Sequence, residues 1–534
     1  MRILGRILLV VLVLAPVGCG GGGGSTPDVP KPVDDCITGT GPEVLVTGTV
    51  TYQRLALHAG GLGPALELRP ARFVDVQVRI AGGGTCYGTG SADQGGGFTL
   101  LVRPPQGSSL EVWAFSRTNQ DPLRRVTVHN ALPPTSNTHT DSNVFTFTSS
   151  PFTAGAAAPV TMEIPYNPGH PSARPSIGFG ALDVLLTCSE SIRTATGSAP
   201  SLCHAYTRLG NNGATGTSFY SHNARALTLL GGASGNLDGS DTDYFDDGVI
   251  AHEYHHFVEY HNAHTLTRGG SHAGEKLEPN FSWSEGQATG FGCLHRADPA
   301  YIDTYNTSGT GVFISQSAEN WSQSVRGIGG EETVAELVWD LGDGGSGPTD
   351  TDGDVAALPL GSLLSAFFGF DVATDAPYIG LLLDRLQTAG SISTADLSTL
   401  MITPENQQIS YPLTGDDVWP IPLAIPGQGD GTCDSTTGNR CRGLDASRWY
   451  GFTLGAAQTL TFDLDIHDVA GSGNDLNLYL LRASGTQVDS SFNGSNVSER
   501  IGPITLAAGV YLVRVEASCL GAGNKADFTL TVSP

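Results

Sequence analysis

The spacing of the apolar residues changes twice along the chain, and this change constrains the fold more than any other feature. Between residues 44 and 165 apolar and polar residues alternate, as in FVDVQVRI, which predicts strands. Between 166 and 402 the apolar spacing is mostly helical, apart from the strand-like run ALTLLGG. Alternation returns between 426 and 534, for example in NDLNLYLL. A chain of 534 residues is also too long for one core, so we predict a multidomain protein with a β, α-rich, β order.

The chain begins with residues typical of an export signal. Two arginines precede an apolar run from Ile7 to Leu14, which is shorter than the roughly 20 residues that a membrane span needs. Residues 17–19, Val-Gly-Cys, are followed by glycines and resemble a bacterial lipoprotein signal, which implies lipidation of Cys19. Pro16 departs from that pattern, so a cell-envelope lipoprotein and a secreted protein both remain open. We take 1–19 as the signal.

Linkers rich in Gly and Pro are predicted at 20–43 and 403–425. The net charge is −25, and no basic run could follow a phosphate backbone, so a nucleic-acid partner is excluded. Besides Cys19, the chain has an even number of cysteines, which outside the cytoplasm indicates disulfides. These cysteines are Cys36, Cys86, Cys188, Cys203, Cys293, Cys433, Cys441 and Cys519. The pairs Cys188–Cys203 and Cys433–Cys441 would close short loops, although sequence alone does not fix the pairing.

The stretch DDGVIAHEYHHFVEYH contains the motif H-E-x-x-H at His252, Glu253 and His256. On a helix, the two histidines lie one turn apart on the same face and can bind one metal ion. Glu253 is then placed to contact a water bound to that ion. The apolar side chains at 250, 254 and 257 predict a core-facing stripe, and the acids at 246 and 247 are candidates to cap the helix.

A hydrolytic zinc site usually takes a third protein ligand. The metzincin pattern needs Gly at 259 and His at 262, where this chain has Glu259 and Asn262, so that class is excluded. The stretch FSWSEGQA instead offers Glu285. The W-x-E-G-x-A sequence around Glu285 and the stretch GVIAHEYHHFVEYH resemble active-site sequences of the gluzincins, the thermolysin-like clan of zinc peptidases.

The resemblance implies a zinc ion bound by His252, His256 and Glu285, with Glu253 as the base that activates water for cleavage of a peptide or protein substrate. Thr289 stands where thermolysin-like enzymes carry an acidic residue that supports a ligand, and His255 stands where a small residue is usual. Thr289, together with the lack of an oxyanion donor that a motif identifies, keeps open an alternative, a zincin-fold surface protein that binds without cleaving. An oxyanion donor would also be needed, and the candidates are His272, Tyr301 and Tyr305.

The flanking regions resemble known β modules. The layout VTGTVTY to LEVWAF, within 44–165, resembles the carboxypeptidase regulatory-like domain, and DASRWYGFTLGAAQTLTFDLD to DFTLTV, within 426–534, resembles the bacterial pre-peptidase C-terminal domain. The full expectation is therefore a β-sandwich, an α-rich α+β zincin-like catalytic domain at 166–402, and a C-terminal β-sandwich.

Other polar residues near these motifs are predicted to be structural. We expect His255, His261 and His264 at surface or supporting positions. Glu331 and Glu332 are also interpreted as structural residues. In the sequence WDL at 339–341, we predict that the Trp and the Leu belong to the core.

The acidic loops 236–247 and 350–354 resemble oxygen-ligand calcium loops. An EF-hand is excluded, because Val355 and Gly361 occupy positions that require Gly and Glu. Another type of calcium site and a solvated turn remain open for both loops.

Overall fold

In the computed structural model, the described part of the chain runs from residue 36 to residue 534, with short gaps. The gaps are 119–120, 141–142, 156–158, 167–174, 211–215, 234–239, 268, 271, 273, 306–310, 322–324, 345–355, 403–407, 435–445, 470–474, 495–496 and 518–524. The predicted signal, the acidic loop 350–354 and three cysteines, Cys19, Cys441 and Cys519, lie outside the described residues. Within them, no helix combines the length and apolar character that a membrane crossing requires.

The N-terminal region is built from strands, as the alternating pattern predicts. These are β1 (Val44–His58), β2 (Gly61–Pro70), β3 (Asp75–Ile80), β4 (Cys86–Ser91), β5 (Gly97–Val102), β6 (Ser109–Phe115), β7 (Val126–Asn130), β8 (Thr146–Thr148), β9 (Phe152–Thr153) and β10 (Val160–Ile164). One sheet has the order β10-β1-β2 with β5 also on β1, and the other has the order β4-β3-β6-β8 with β9 also on β6. Val50 and Val76, one from each sheet, are fully buried in a shared core.

The middle region contains α1 (Pro175–Thr196), β11 (Cys203–Thr207), β12 (Phe219–Ser221), β13 (Ala226–Thr228), α2 (Asp247–Asn262), α3 (Pro279–Arg296), β14 (Ala300–Tyr305), β15 (Gly311–Ser317), α4 (Glu331–Asp340), α5 (Leu360–Phe368), α6 (Ile379–Thr388) and α7 (Thr394–Ile402). β13 falls in the predicted run ALTLLGG. The other short strands were not predicted, because three to seven residues rarely establish a period.

β7 belongs to the sheet of the middle region. The order of this sheet is β12-β13-β11-β7, with β7 parallel to β11 and β12 antiparallel at the opposite edge. Thr127 pairs with His204, so the sheet crosses the boundary that the sequence places at 165. The hydrophobic pattern identifies β7 as a strand but carries no information about its partner.

The C-terminal region consists of β16 (Ile421–Pro422), β17 (Gly427–Asp434), β18 (Ser447–Leu454), β19 (Gln458–Val469), β20 (Leu476–Arg482), β21 (Gln487–Ser491), β22 (Glu499–Leu506), β23 (Gly509–Ala517) and β24 (Lys525–Ser533). One sheet has the order β16-β18-β23-β20-β21 and the other β17-β24-β19-β22. The inward side chains of both sheets bury one apolar core, which includes Leu478 and Phe462. This two-sheet arrangement agrees with the predicted C-terminal β-sandwich.

The C-terminal region packs against the middle region through buried polar and aromatic contacts. Ser447 donates a hydrogen bond to Glu278 Oε1 at 2.5 Å, and both residues are 2% exposed. His264 Nε2 lies 3.0 Å from the carbonyl oxygen of Ala483. Trp449 contacts Trp419 with ring centroids 5.5 Å apart. Because Glu278 immediately precedes α3, this interface contacts the start of that helix.

The cysteine pairing differs from the short loops considered above. The structure has a disulfide between Cys36 and Cys86, 50 residues apart in sequence. Cys188 and Cys203 are buried free thiols, so the Cys188–Cys203 pairing is wrong. Burial raises the pKa of Cys188 to about 12, which keeps its thiol protonated. Cys433 is also a buried free thiol.

We predict that Ser447→Ala weakens the attachment of the C-terminal region. The substitution removes a donor from the buried carboxylate of Glu278, which should cost about 1–3 kcal/mol. Urea unfolding followed by tryptophan fluorescence, to which Trp419 and Trp449 at this interface contribute, measures the change. Ser136→Ala, at an exposed serine, is the control. Equal stability of the two variants would contradict the prediction.

Candidate metal centre

The helix α2 carries the H-E-x-x-H motif and is fixed by the core on one side. Ile250, Tyr254 and Phe257 are all 0% exposed, which confirms the predicted core-facing stripe. Asp246 occupies the N-cap position but makes no side-chain capping bond. Its carboxylate instead accepts hydrogen bonds from the backbone N–H and the hydroxyl of Thr304 on β14, at 2.6 and 2.9 Å. The start of α2 is therefore tied to a strand that follows α3.

The helix α3 carries Glu285 and packs closely on two other helices. A Cβ at Gly292 would lie 3.3 Å from the backbone nitrogen of His252, so glycine permits the close approach of α2. A Cβ at Gly290 would lie 2.7 Å from the carbonyl oxygen of Ala335 on α4, which is too short for an ordinary contact. These contacts fix Glu285 relative to the histidines of α2.

Three donor atoms from α2 and α3 converge. His256 Nε2 lies 3.0 Å from His252 Nε2 and 3.1 Å from Glu285 Oε2, and His252 Nε2 lies 3.4 Å from the same oxygen. Donor atoms around a tetrahedral zinc ion with bonds of about 2.0–2.1 Å stand roughly 3.3 Å apart. The spacing and the donor types therefore fit a zinc ion, and the structure brings together all three residues that the sequence indicated.

Each imidazole has a partner on its other nitrogen. His252 Nδ1 lies 2.8 Å from the hydroxyl of Thr289, which is 3% exposed. His256 Nδ1 lies 3.4 Å from Glu259 Oε2, and the same carboxylate accepts a 2.8 Å hydrogen bond from Ser284. An acceptor at Nδ1 orients the ring and leaves Nε2 free to bind a metal. The hydroxyl of Thr289 thus orients the ring of His252.

Glu253 lies beside the three donors and is 7% exposed. Burial raises the pKa of its carboxyl group, while the nearby His252 and His256 oppose that shift. The backbone of Tyr220, on the edge strand β12, also opposes the rise in the pKa of Glu253. A buried carboxyl group with a raised pKa is suited to accept and return a proton.

His272 joins Glu285 to the start of α4. Its Nε2 lies 3.3 Å from Glu285 Oε2, and its Nδ1 lies 2.7 Å from Glu331 Oε2. Burial alone would lower the pKa of His272, but Glu331 and Glu285 outweigh burial and raise it to about 11. Glu331 therefore contacts His272 beside the three donors, and its interpretation as a structural residue stays a prediction. Sequence reasoning missed this pairing, because no motif links the two residues.

The tyrosines considered as oxyanion donors differ in position. The ring of Tyr301 lies 6.1 Å from the ring of His252, and burial, with Asp303 and Glu253 nearby, raises the pKa of Tyr301. Tyr301 therefore keeps its proton and can donate it in a hydrogen bond. Tyr305 is 36% exposed and packs against Phe313. Its described contacts do not place it beside the three donors.

The remaining histidines of this stretch occupy different environments. His255 is 0% exposed and stacks on Phe291, so it belongs to the core and not to the surface. The rings of His261 and Phe257 pack 4.5 Å apart. His264 contacts the C-terminal region, as described above. Trp339 and Leu341 are buried, which confirms the predicted core.

Comparison with known proteins identifies the family of the C-terminal region. Residues 446–517 match the family described as the bacterial pre-peptidase C-terminal domain. No curated protein matches the chain.

Similar solved structures include the pre-peptidase C-terminal domain of a collagenase from Bacillus anthracis, which is 17% identical in sequence. The match covers 21% of this chain and 90% of that chain, and the TM-score is 0.16. Another is PliG from Aeromonas hydrophila, a periplasmic inhibitor of g-type lysozyme, with 16% identity, 21% and 93% covered, and a TM-score of 0.15. The family match assigns residues 446–517 to the bacterial pre-peptidase C-terminal domain, a module typical of secreted bacterial peptidases.

Proposed function

We propose that the protein is an exported zinc-dependent peptidase. The observation that carries this proposal is the convergence of His252 Nε2, His256 Nε2 and Glu285 Oε2 within 3.0–3.4 Å, beside the buried carboxyl group of Glu253. A structural zinc site would not need an additional acidic residue at this position. The donor set leaves a fourth position for water, as hydrolytic zinc sites require.

The chain's own residues have distinct roles in the proposed reaction. A zinc ion bound by the three donors would supply an acidified water and polarise the scissile carbonyl group. Glu253 accepts a proton from the attacking water and returns it to the leaving amine. Thr289 and Glu259 hold the two imidazole rings in the orientation that directs Nε2 to the metal. Tyr301 and His272 are the candidates to donate a hydrogen bond to the oxyanion.

The position of β12 supports a peptide substrate. This strand is the edge of its sheet, and the backbone of Tyr220 within it lowers the pKa of Glu253, which places the strand near that carboxyl group. An extended peptide can add to an exposed sheet edge through backbone hydrogen bonds. A substrate bound along β12 would therefore pass beside Glu253.

The pre-peptidase C-terminal domain supports an extracellular location, since such modules are typical of secreted bacterial peptidases. We propose that the protein is either secreted or held at the cell envelope by a lipid on Cys19. Its substrates would then be extracellular proteins or peptides. In the second case, the lipid on Cys19 is the only contact with the membrane that we propose.

We expect Glu253→Gln to abolish most peptidase activity while retaining zinc. The amide keeps the size of the side chain but cannot accept the proton, so kcat should fall by about 10²–10⁴-fold. Hydrolysis of a quenched-peptide pool and zinc content per chain are measured together. Glu67→Gln, at a half-buried acid on β2 that pairs with Arg69, is the control. If the parent binds zinc but cleaves nothing, even after proteolytic activation, the alternative of a non-catalytic binding protein replaces this proposal.

Tyr301→Phe and Tyr305→Phe form a matched pair on β14. If the hydroxyl of Tyr301 donates to the oxyanion, its removal should lower kcat by about 10²–10³-fold with little change in KM. Tyr305→Phe should retain the parent activity, because that ring packs on Phe313. Steady-state kinetics with one fluorogenic peptide compares them. Parent-like activity of Tyr301→Phe would leave His272 as the donor.

A further inference from the structure

Three histidines and a tyrosine meet on one face of the sheet that contains β7 and β11. His129 lies on β7, His204 and Tyr206 lie on β11, and His139 belongs to the segment that follows β7. His129 Nε2 lies 3.0 Å from His204 Nδ1, and His139 Nδ1 lies 2.9 Å from the hydroxyl of Tyr206. The ring of His139 also stacks on that of His204, with centroids 3.9 Å apart. We call these three imidazoles the histidine cluster.

The histidine cluster is largely shielded from water. His129 is 0% exposed, His204 is 8% exposed, and His139 is half-buried. Nδ1 of His129 and Nε2 of His139 are buried and have no hydrogen-bond partner among the described residues. The contact between His129 and His204 needs one proton, so two neutral rings satisfy it, with one nitrogen donating to the other. An additional proton would place a positive charge on a buried ring.

The segment before β7 supplies further cations to the histidine cluster. Arg117 lowers the pKa of His129, and Arg125 lowers that of His204. The carboxylates on this side are paired with arginines, Asp75 with Arg117 and Asp121 with Arg124. A proton added to the cluster would therefore meet positive charge and no free counterion on this side.

The other elements around the histidine cluster do not balance a positive charge either. Between residues 131 and 145, His139 is the one titratable group that the structure describes, and β13 carries none. Alternate residues of a strand face opposite sides of a sheet, so Val128 and Ala205, in the apolar core with α1, point away from the cluster. The acidic residues of α1 therefore lie across the sheet. None of the three histidines forms an ion pair with a described carboxylate.

The pKa values follow from this environment. Burial, together with the neighbouring His139 and arginine, lowers the pKa of His129 to about 3 and that of His204 to about 2. Burial also lowers the pKa of His139. In an unfolded chain these histidines would gain protons near pH 6.5, which is about their ordinary pKa. The folded form therefore loses stability as the pH falls from about 6.5 towards the lowered values.

We propose that the histidine cluster is an acid-sensitive latch, which holds β7 against β11 while its rings are neutral and releases β7 when they are protonated. β7 follows the N-terminal strands in sequence and pairs with β11 of the middle region, so the latch joins these two regions. β7 is also one edge of the sheet β12-β13-β11-β7, and its release shortens that sheet from the edge opposite β12. The cluster contains none of the three donors of the candidate metal centre, so the inference does not rest on the proposed peptidase activity.

Hydrogen exchange of the purified protein, followed by mass spectrometry at about pH 7.5 and about pH 5.0, tests the latch. After correction for the pH dependence of intrinsic exchange, we expect peptides from β7 and β11 to exchange at least about tenfold faster at the lower pH. Peptides from β18 and β23 in the C-terminal region should keep their protection. Return to the higher pH should restore the protection of β7 and β11.

Two variants remove one titrating group each and retain a neutral side chain that forms hydrogen bonds. In His129→Gln and in His204→Asn, the acid-induced acceleration of exchange at β7 and β11 should be about tenfold smaller than in the parent. His58→Gln, at an exposed histidine on β1, should respond to acid like the parent.

Three outcomes would overturn the proposal. The first is equal corrected exchange of β7 and β11 at both pH values. The second is an acid response in His129→Gln and His204→Asn that equals that of the parent. The third is equal acceleration in all regions, which indicates general acid unfolding. If the two variants do not fold, the parent decides, because only a local latch confines the acceleration to β7 and β11.

Discussion

The backbones of α2 and α3 approach closely at Gly292, and the spacing of the three clustered donor atoms depends on this contact. His252 and His256 belong to one helix and Glu285 to the other, so the helix crossing, and not a loop, sets their separation. A helix is stiff, and a side chain projecting from it loses little position through local motion. A bulkier residue at Gly292 would displace α2 near His252 and would separate the donors without altering any of them.

Both flanking modules contact the starts of these two helices. Arg54, on β1 and 1% exposed, forms a 2.9 Å ion pair with Asp247 in the first turn of α2. Ser447, in the pre-peptidase C-terminal domain, binds Glu278 at the start of α3. The centre is thus supported from both ends of the chain. The two flanking modules therefore support the helices α2 and α3, which carry the three donors.

The sequence predicts the parts of this site that depend on local periodicity. His252 and His256 could be predicted because they lie one helical turn apart. Glu285 could be predicted from the W-x-E-G-x-A sequence that surrounds it. The contact of His272 with Glu331 joins a loop to a later helix. Such contacts depend on how elements pack, and the spacing of residues in one chain does not encode that packing. The same limit explains why β7 was recognised as a strand but its partner was not.

The pairing of β7 with β11 also has a consequence for how the molecule is made. β7 leaves the ribosome about 70 residues before β11, so it must remain unpaired until its partner and the intervening α1 have been synthesised. During that interval its backbone donors and acceptors are an open edge that other chains could pair with.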